Sequence, residues 1–320
     1  MSEPGLELYR KLYLIRRAEE AILRYYPEDD MKTPMHMSMG QEAAPAAVCQ
    51  ALGEDAEILC SYRSHAPFLA RTGDLDLFFA EMYGKVTGTA DGKSGSMHLA
   101  CPDKGHLCST AIVGSGLPVA VGAAFANKRL GRSTITCVFF GDGAMDEGAF
   151  WESLNAASLF KVPLLFILED NGLAVHTAKN SRHGYGRIED VVKAFDCGFY
   201  QGSGDDAEAL LATVGKAAQD IRAHGRPAFL RVECYRYLEH VGINEDFDAG
   251  YRPRSDYDSW LARDAVKLQR EKLLARGQGE RAQAIETEID QAVEAAIERA
   301  KAASLPDPSR LTHGVFSCAE

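Results

Sequence analysis

The stretch ITCVFFGDGAMDEGAFWESLNAASLFKVPLLFILEDNG, residues 135–172, decides the fold. ITCVFF (135–140) and VPLLFILE (162–169) are continuous apolar runs, as parallel strands covered on both faces require. FWESLNAASLF between them carries helical periodicity, so strand, helix and strand fit one right-handed crossover of about 30 residues.

The same pattern extends downstream. VVKAFDCGFYQGSG, the helical DDAEALLATVGKAAQDIRAHG and the strand-like AFLRVECYRY form a third unit. Upstream, Leu8, Leu12, Ile15, Ala18 and Ile22 recur every three or four residues, which predicts an amphipathic helix from Leu6 to Tyr26 lying across the domain. Gln41–Leu52 reads as a second helix and Glu57–Ser61 as a strand, whereas SYRSHAPFLARTGD (61–74) reads as a polar loop. The fold class is therefore α/β, a parallel sheet with helices on both faces and helical N- and C-terminal extensions. The boundaries are 1–52 for the helical N-terminal segment, 53–250 for the core and 251–320 for the C-terminal extension, all within one structural domain. In that extension Ile285, Ile289, Val293 and Ile297 form an i+4 stripe on an acidic helix. The stripe either packs on the chain's own sheet, the favoured reading, or joins a subunit interface.

Composition narrows the function. In 320 residues, 46% are hydrophobic and 25% charged, ordinary globular usage that excludes wholesale disorder. The net charge is −11 and no Lys/Arg run exceeds a pair, which argues against a nucleic-acid or anionic-membrane surface. Eight scattered cysteines without a CxxC suit a reduced compartment rather than a disulfide scaffold or zinc site. No leader pattern opens MSEPGLELYRKLY and no apolar run reaches about 18 residues, so the expected location is cytoplasmic.

Two glycine motifs are near misses. GTADGKS (88–94) resembles a phosphate-binding loop, yet the required first glycine is Thr87, and DLFFAEMYGKV before it reads as helix rather than strand. Gly114-Ser-Gly116 lacks the third glycine of a dinucleotide fingerprint and has Pro118 inside the turn.

Gly141-Asp142-Gly143 is different, because it lies where a buried strand ends and a helix begins. Its glycines let backbone approach a ligand, and N–H groups of the helix start suit a phosphate. Asn171 follows at the end of the next strand, and parallel sheets bind ligands at such ends. Asp142 and Asn171 are expected to converge. A carboxylate, an amide oxygen and a nearby main-chain carbonyl, such as that of Leu173, make a hard-oxygen set suited to Mg²⁺ with phosphate oxygens. Taken singly, each segment also reads as an ordinary turn or loop.

With these residues in place, the chain resembles the alpha subunit of the thiamine diphosphate-dependent dehydrogenase component of 2-oxoacid dehydrogenase complexes, including the related acetoin dehydrogenases. The likeness runs from MHMSMGQEA (35–43) through SYRSHAPFLARTGD, GKSGSMHLA (92–100), AIVGSGLPVAVGAA (111–124) and the GDG stretch to CYRYLEHVG (234–242) and PDPSRL (306–311). It implies thiamine diphosphate and Mg²⁺ as cofactors. Tyr62 and Arg63 match the pair that donates to the diphosphate. Ala111 and Val113 match main chain between the cofactor's rings, and Gly143 and Ala144 match backbone at the diphosphate. His36 matches a cofactor-side histidine, and Asp142, Asn171 and Leu173 match the metal ligands. His240 matches a histidine at the site mouth that helps pass an acyl group to a lipoyl carrier, and is the catalytic candidate.

The resemblance also implies a beta subunit that supplies the aminopyrimidine-side domain and a glutamate promoting carbanion formation. Only about 80 residues follow the last strand here, too few for a second sheet domain. The expected substrate is a small 2-oxo acid or 2-hydroxyketone and the expected acceptor a lipoyl-bearing acyltransferase. A carboligase acting on an aldehyde, or a non-catalytic assembly subunit, are the alternatives. Three departures stand out. Leu238-Glu239-His240-Val241 replaces the usual His-Gly-His-Ser, removing a hydroxyl used for regulatory phosphorylation; Asp170 replaces an asparagine; and Leu173 replaces a tyrosine.

Overall fold

A computed structural model of the chain describes residues 3–314. Six parallel strands build the sheet: β1 (Ala56–Ser61), β2 (His106–Thr110), β3 (Ile135–Gly141), β4 (Leu164–Asp170), β7 (Gly198–Ser203) and β8 (Ala228–Glu233), in the order β2-β1-β3-β4-β8-β7. A small hairpin, β5 (Leu173–Ala174) and β6 (Thr177–Ala178), lies beyond the end of β4. The expected α/β architecture is present. β2 was not read from the sequence; HLCST is largely polar and pairs within the sheet with β1 alone, at the sheet edge.

The uninterrupted apolar runs have a simple cause. Cys137 and Phe139 of β3 enter one core layer with Leu165 and Ile167 of β4, while Val138 and Phe140 enter the opposite layer with Phe166 and Leu168. Alternate side chains leave a strand on opposite faces, and both faces here are covered. One face carries α5 (Gly116–Arg129) and α6 (Gly148–Phe160), through Leu117, Ala120, Ala124, Phe150 and Leu154. The other carries α1 (Pro4–Tyr25), α2 (Ala43–Leu52) and α8 (Ala207–His224), with Leu12, Ile15, Val48, Val214 and Ile221 in its core.

SYRSHAPFLARTGD is not a loop. It contains α3 (His65–Thr72), with His65, Ala66, Phe68, Leu69 and Ala70 buried and Gly73 closing it at φ +62°. Pro67 falls in the first turn, where a missing N–H is harmless. Burial against neighbouring helices makes a helix of a short, polar-looking segment. Asp74 then caps α4 (Leu75–Met82) by accepting from Leu77 N–H at 2.9 Å.

The isoleucine stripe is corrected as well. It lies on α11 (Gly279–Ala302), which packs on α1 and α4 rather than on the sheet. Ile289, Val293 and Ile297 are buried inside the chain, so they are not a subunit surface. A polar seam borders this packing: Arg10 pairs with Glu288 at 2.7 Å, Arg17 with Asp290 at 2.8 Å, and Tyr25 donates to Glu294 at 2.6 Å. α10 (Ala265–Ala275) packs beside α1, and α9 (Arg254–Leu261) precedes it.

The rejected phosphate-loop motif does enclose an anion, but the anion is internal. Glu81 of α4 accepts from Ala90 and Gly92 N–H on Oε2 and from Ser94 N–H, Ser94 hydroxyl and Gly95 N–H on Oε1, all at 2.8–3.1 Å. A Cβ on Gly92 would lie 2.2 Å from the Gly84 carbonyl carbon, so the loop closes only with glycine there. Among the described residues, no helix is long and apolar enough to cross a membrane.

Candidate active site

Because all six strands run parallel, Ser61, Gly141, Asp170 and Glu233 end on one edge of the sheet. A cleft opens there. Tyr62, Arg63, Val113, Gly143, Ala144, Asn171, Leu173 and His240 line it, eight of the residues singled out from the sequence. Ala111, half-buried at the end of β2, stands one residue behind the lining Ile112.

Arg63 is the decisive group. Its side chain is buried, the residue being 7% exposed, and it donates to the carbonyls of Met37 at 2.6 Å and His240 at 3.2 Å. Among the described residues it forms no ion pair. Burial, with Arg236 nearby, pulls its pKa down to about 10. Glu169 acts on it only at longer range; a buried guanidinium without an ion-pair partner is costly, and an anion in the cavity would relieve that cost.

Three rings gather above it. His36 lies 4.5 Å from Tyr62 and 5.4 Å from His240, and Tyr62 lies 5.6 Å from His240, centroid to centroid. Burial first, then Arg63, lowers His36 to about 3 and His240 to about 4. Both imidazoles are neutral at pH 7. Because Arg63 depresses both, an anion bound to it would partly restore their basicity. His36 Nδ1 is buried without a hydrogen-bond partner among the described residues.

Asp142 opens the 3₁₀ turn Asp142–Asp146 directly after β3 and is fully buried. Arg182 holds its Oδ2, while Oδ1 has no hydrogen-bond partner among the described residues. Asn171 Oδ1 accepts from Leu173 N–H at 3.1 Å, and its Nδ2 donates to Gln41 Oε1 at 3.3 Å. The expected convergence is not seen in one cavity: Gly141 and Gly143 line the first cavity, whereas Asp142 lines a neighbouring one with Asp170, Lys179 and Arg231.

Several participants escaped the sequence reading. Glu169, the penultimate residue of β4, lines the cavity; burial pushes it up to about 8, while Arg63 and Gln41 pull the other way. Gln41 sits beside it, inside the quoted MGQEA. Arg236, inside CYRY, is buried and donates to the Leu238 carbonyl, to Tyr251 at 2.9 Å and to the Val175 carbonyl at 3.4 Å, bracing the turn before His240. Only its place before that turn could have signalled it.

The departures from the family pattern have structural partners. Glu239 Oε1 accepts from Asn244 N–H at 2.9 Å and Nδ2 at 3.0 Å, and Gly242 N–H donates to the Met35 carbonyl at 2.8 Å. The His240 loop is thereby closed on itself and tied to the His36 segment. Asp170 is held by Lys179 at 2.7 Å and Arg231 at 2.6 Å. A carboxylate in place of an amide is thus matched by two cations.

Residues 10–309 match the family model of the dehydrogenase E1 component. The chain is 31% identical over 317 residues to the alpha subunit of acetoin:2,6-dichlorophenolindophenol oxidoreductase of Cupriavidus necator, covering 98% of this chain and 94% of that one. It is 29% identical over 318 residues to the pyruvate dehydrogenase E1 component subunit alpha of Rickettsia bellii, covering 99% and 97%. The chain belongs to the dehydrogenase E1 component family. The resemblance read from the sequence therefore holds: this is an oxidoreductase component of the thiamine diphosphate-dependent class.

As an E1 component, the chain offers residues that fit the cofactor. The unpaired Arg63, the side-chain-free Gly143 and the apolar Ile112, Val113 and Leu117 suit a diphosphate carrying an organic ring system. The buried, bare Asp142 Oδ1 and the Asn171 amide are hard oxygens of the kind a divalent cation takes.

Proposed function

We propose that this chain is the alpha subunit of a thiamine diphosphate- and Mg²⁺-dependent enzyme that cleaves a C–C bond next to a carbonyl and passes the acyl group to a lipoyl carrier. The observation that carries the reading is Arg63, a buried cation that forms no ion pair among the described residues, at the strand ends beside Gly143. Arg63 and Tyr62 would hold the diphosphate, and Asp142, Asn171 and the Leu173 carbonyl the metal. When bound, thiamine diphosphate supplies a carbanion equivalent that adds to a carbonyl and stores an acyl group. Ala111, Val113 and Ala144 would shape the walls around it, and His36 would face it. His240, neutral and at the cavity mouth, would accept or return a proton during acyl transfer. A small 2-oxo acid or 2-hydroxyketone is the substrate class.

A beta subunit completes the site in this reading and contributes the glutamate at the aminopyrimidine ring. Two features of the surface support a partner. Val119, Phe125 and Leu130, on and just after α5, are exposed together with Leu159 and Phe160 of α6, and the Phe125 and Phe160 rings lie 5.6 Å apart. Ile112, Val113, Val175 and Val241 stand exposed around the cavity mouth. Contiguous apolar surface of this kind marks association sites. A cytoplasmic location suits the seven described cysteines, all free.

Native mass spectrometry of the protein from its source, with Mg²⁺ present, tests the proposal. A partner chain and a thiamine diphosphate mass are expected. Robust turnover by the isolated chain would overturn the shared site, and self-assembly without cofactor would overturn the catalytic reading.

A further inference from the structure

We propose that Arg182 is a positioning residue for the metal–diphosphate site, fixing one oxygen of Asp142 so that the other is left for a divalent cation. This rests on the reading of that site given above and assigns a role that the sequence motifs do not contain. Arg182 lies in the largely exposed segment between β6 and α7 (Ile188–Val192), yet its own side chain is only 10% exposed. It reaches across the fold to Asp142, where Nη2 bonds Oδ2. Its Nη1 bonds Asp146 Oδ2 at 2.5 Å, and its Nε donates to the Thr177 carbonyl at 3.2 Å. All three guanidinium nitrogens are therefore engaged, and the fork is fixed in orientation. His183 Nε2 lies 3.1 Å from the other oxygen of Asp146 without a hydrogen bond to it.

The result is an asymmetric carboxylate. Asp142 is fully buried, Oδ2 is charge-paired, and Oδ1 has no hydrogen-bond partner. A bare anionic oxygen away from water is expensive unless a cation completes it. Planar guanidinium suits this task, since its fixed fork grips two carboxylates of one turn, Asp142 and Asp146, and limits rotation of the first. Outer partners of this type commonly change metal affinity about 10- to 100-fold when removed. The opposite role is equally definite: if Arg182 occupied the cation's own place, its removal would tighten metal binding.

The test is Mn²⁺ affinity, read by electron paramagnetic resonance of free Mn²⁺, on the chain assembled with its partner and supplied with thiamine diphosphate. Arg182→Gln should bind Mn²⁺ about 10- to 100-fold more weakly. Arg182→Lys, which keeps the charge but not the fork, should fall between it and the unmodified protein, and carries the test should Arg182→Gln fail to assemble. Arg187→Gln, in the same segment but paired only with Glu189 and Asp190 of α7, should bind as the unmodified protein does. Unchanged or tighter binding by Arg182→Gln overturns the proposal. Asp142→Asn separates the two levels: if it binds normally, the metal-site reading itself has failed; if it loses binding while Arg182→Gln does not, only the role of Arg182 has.

Discussion

Two glycine-bearing loops in this chain begin alike and end in opposite states. The loop at 84–95 wraps its N–H groups around a carboxylate, and the turn at 141–144 sets backbone and charge at the end of a strand. In the first, the chain supplies the anion: Glu81 accepts five hydrogen bonds and the loop closes over it. In the second, among the described residues, Arg63 forms no ion pair and Asp142 Oδ1 has no hydrogen-bond partner. A glycine-rich loop is structural when the protein satisfies it and a binding site when it does not. Counting unsatisfied charges separates the two where the motif alone does not.

The comparison breaks most readily at Glu81. Glu81→Ala strands five donors and should destabilise the chain by about 3–5 kcal/mol, the range for removing one partner of a buried charged network. Urea denaturation measures this, and a loss below about 1 kcal/mol would show that the loop is held by something else. Gly92→Ala should follow at about 1–3 kcal/mol, because its φ is +72° and its Cβ would meet the Gly84 main chain. The same measurement applies.

Arg63→Met should reverse the pattern. Removing an unpaired buried charge should leave the cofactor-free protein as stable as before or more so. Its affinity for thiamine diphosphate should nonetheless fall about 10- to 100-fold, as expected for losing hydrogen bonds to a charged group. Thermal melts without cofactor, alongside calorimetric titration with it, read the two effects separately. A large loss of stability without cofactor would make Arg63 structural, like Glu81.

The smallest effect concerns pH. His36 and His240 titrate at about 3 and about 4 in the folded chain, below the ordinary 6.5 of the unfolded one. Between those values the unfolded state binds more protons, so stability rises with pH. It is fully present above the ordinary histidine value and declines as pH falls toward 4. His106, buried in β2 and not lining the cavity, is lowered to about 3 and contributes in the same sense. The site sharpens the distinction: in Arg63→Met, nuclear magnetic resonance should show His240 titrating higher and His106 unmoved. Equal behaviour of both would mean that burial alone governs them.

How much could be read in advance depended on the kind of signal. β3, α6 and β4 were legible because continuous apolar strands and a periodic helix follow from burial on two faces or one. α3 was not, since its helicity comes from neighbours that bury Phe68 and Leu69 rather than from its own pattern. β2 was missed for the related reason that an edge strand need not be apolar. Eight singled-out residues do share a cavity, but Gln41, Glu169 and Arg236 entered only as letters within motifs. A polar side chain's role depends on what stands opposite it, and that partner is generally distant in sequence.

The sequence by itself determined the α/β class, the crossover that carries GDG and EDNG to adjacent strand ends, and the family. These depend on local periodicity and on an ordered set of short motifs, both one-dimensional properties. Only the tertiary structure decided which charges are satisfied: that Glu81 fills one loop, that Arg63 is left unpaired, that Arg182 takes one oxygen of Asp142, and that the isoleucine stripe is spent inside the chain. Electrostatic satisfaction is set by distances of a few ångströms between residues tens or hundreds apart in sequence. No pattern along the chain encodes it directly.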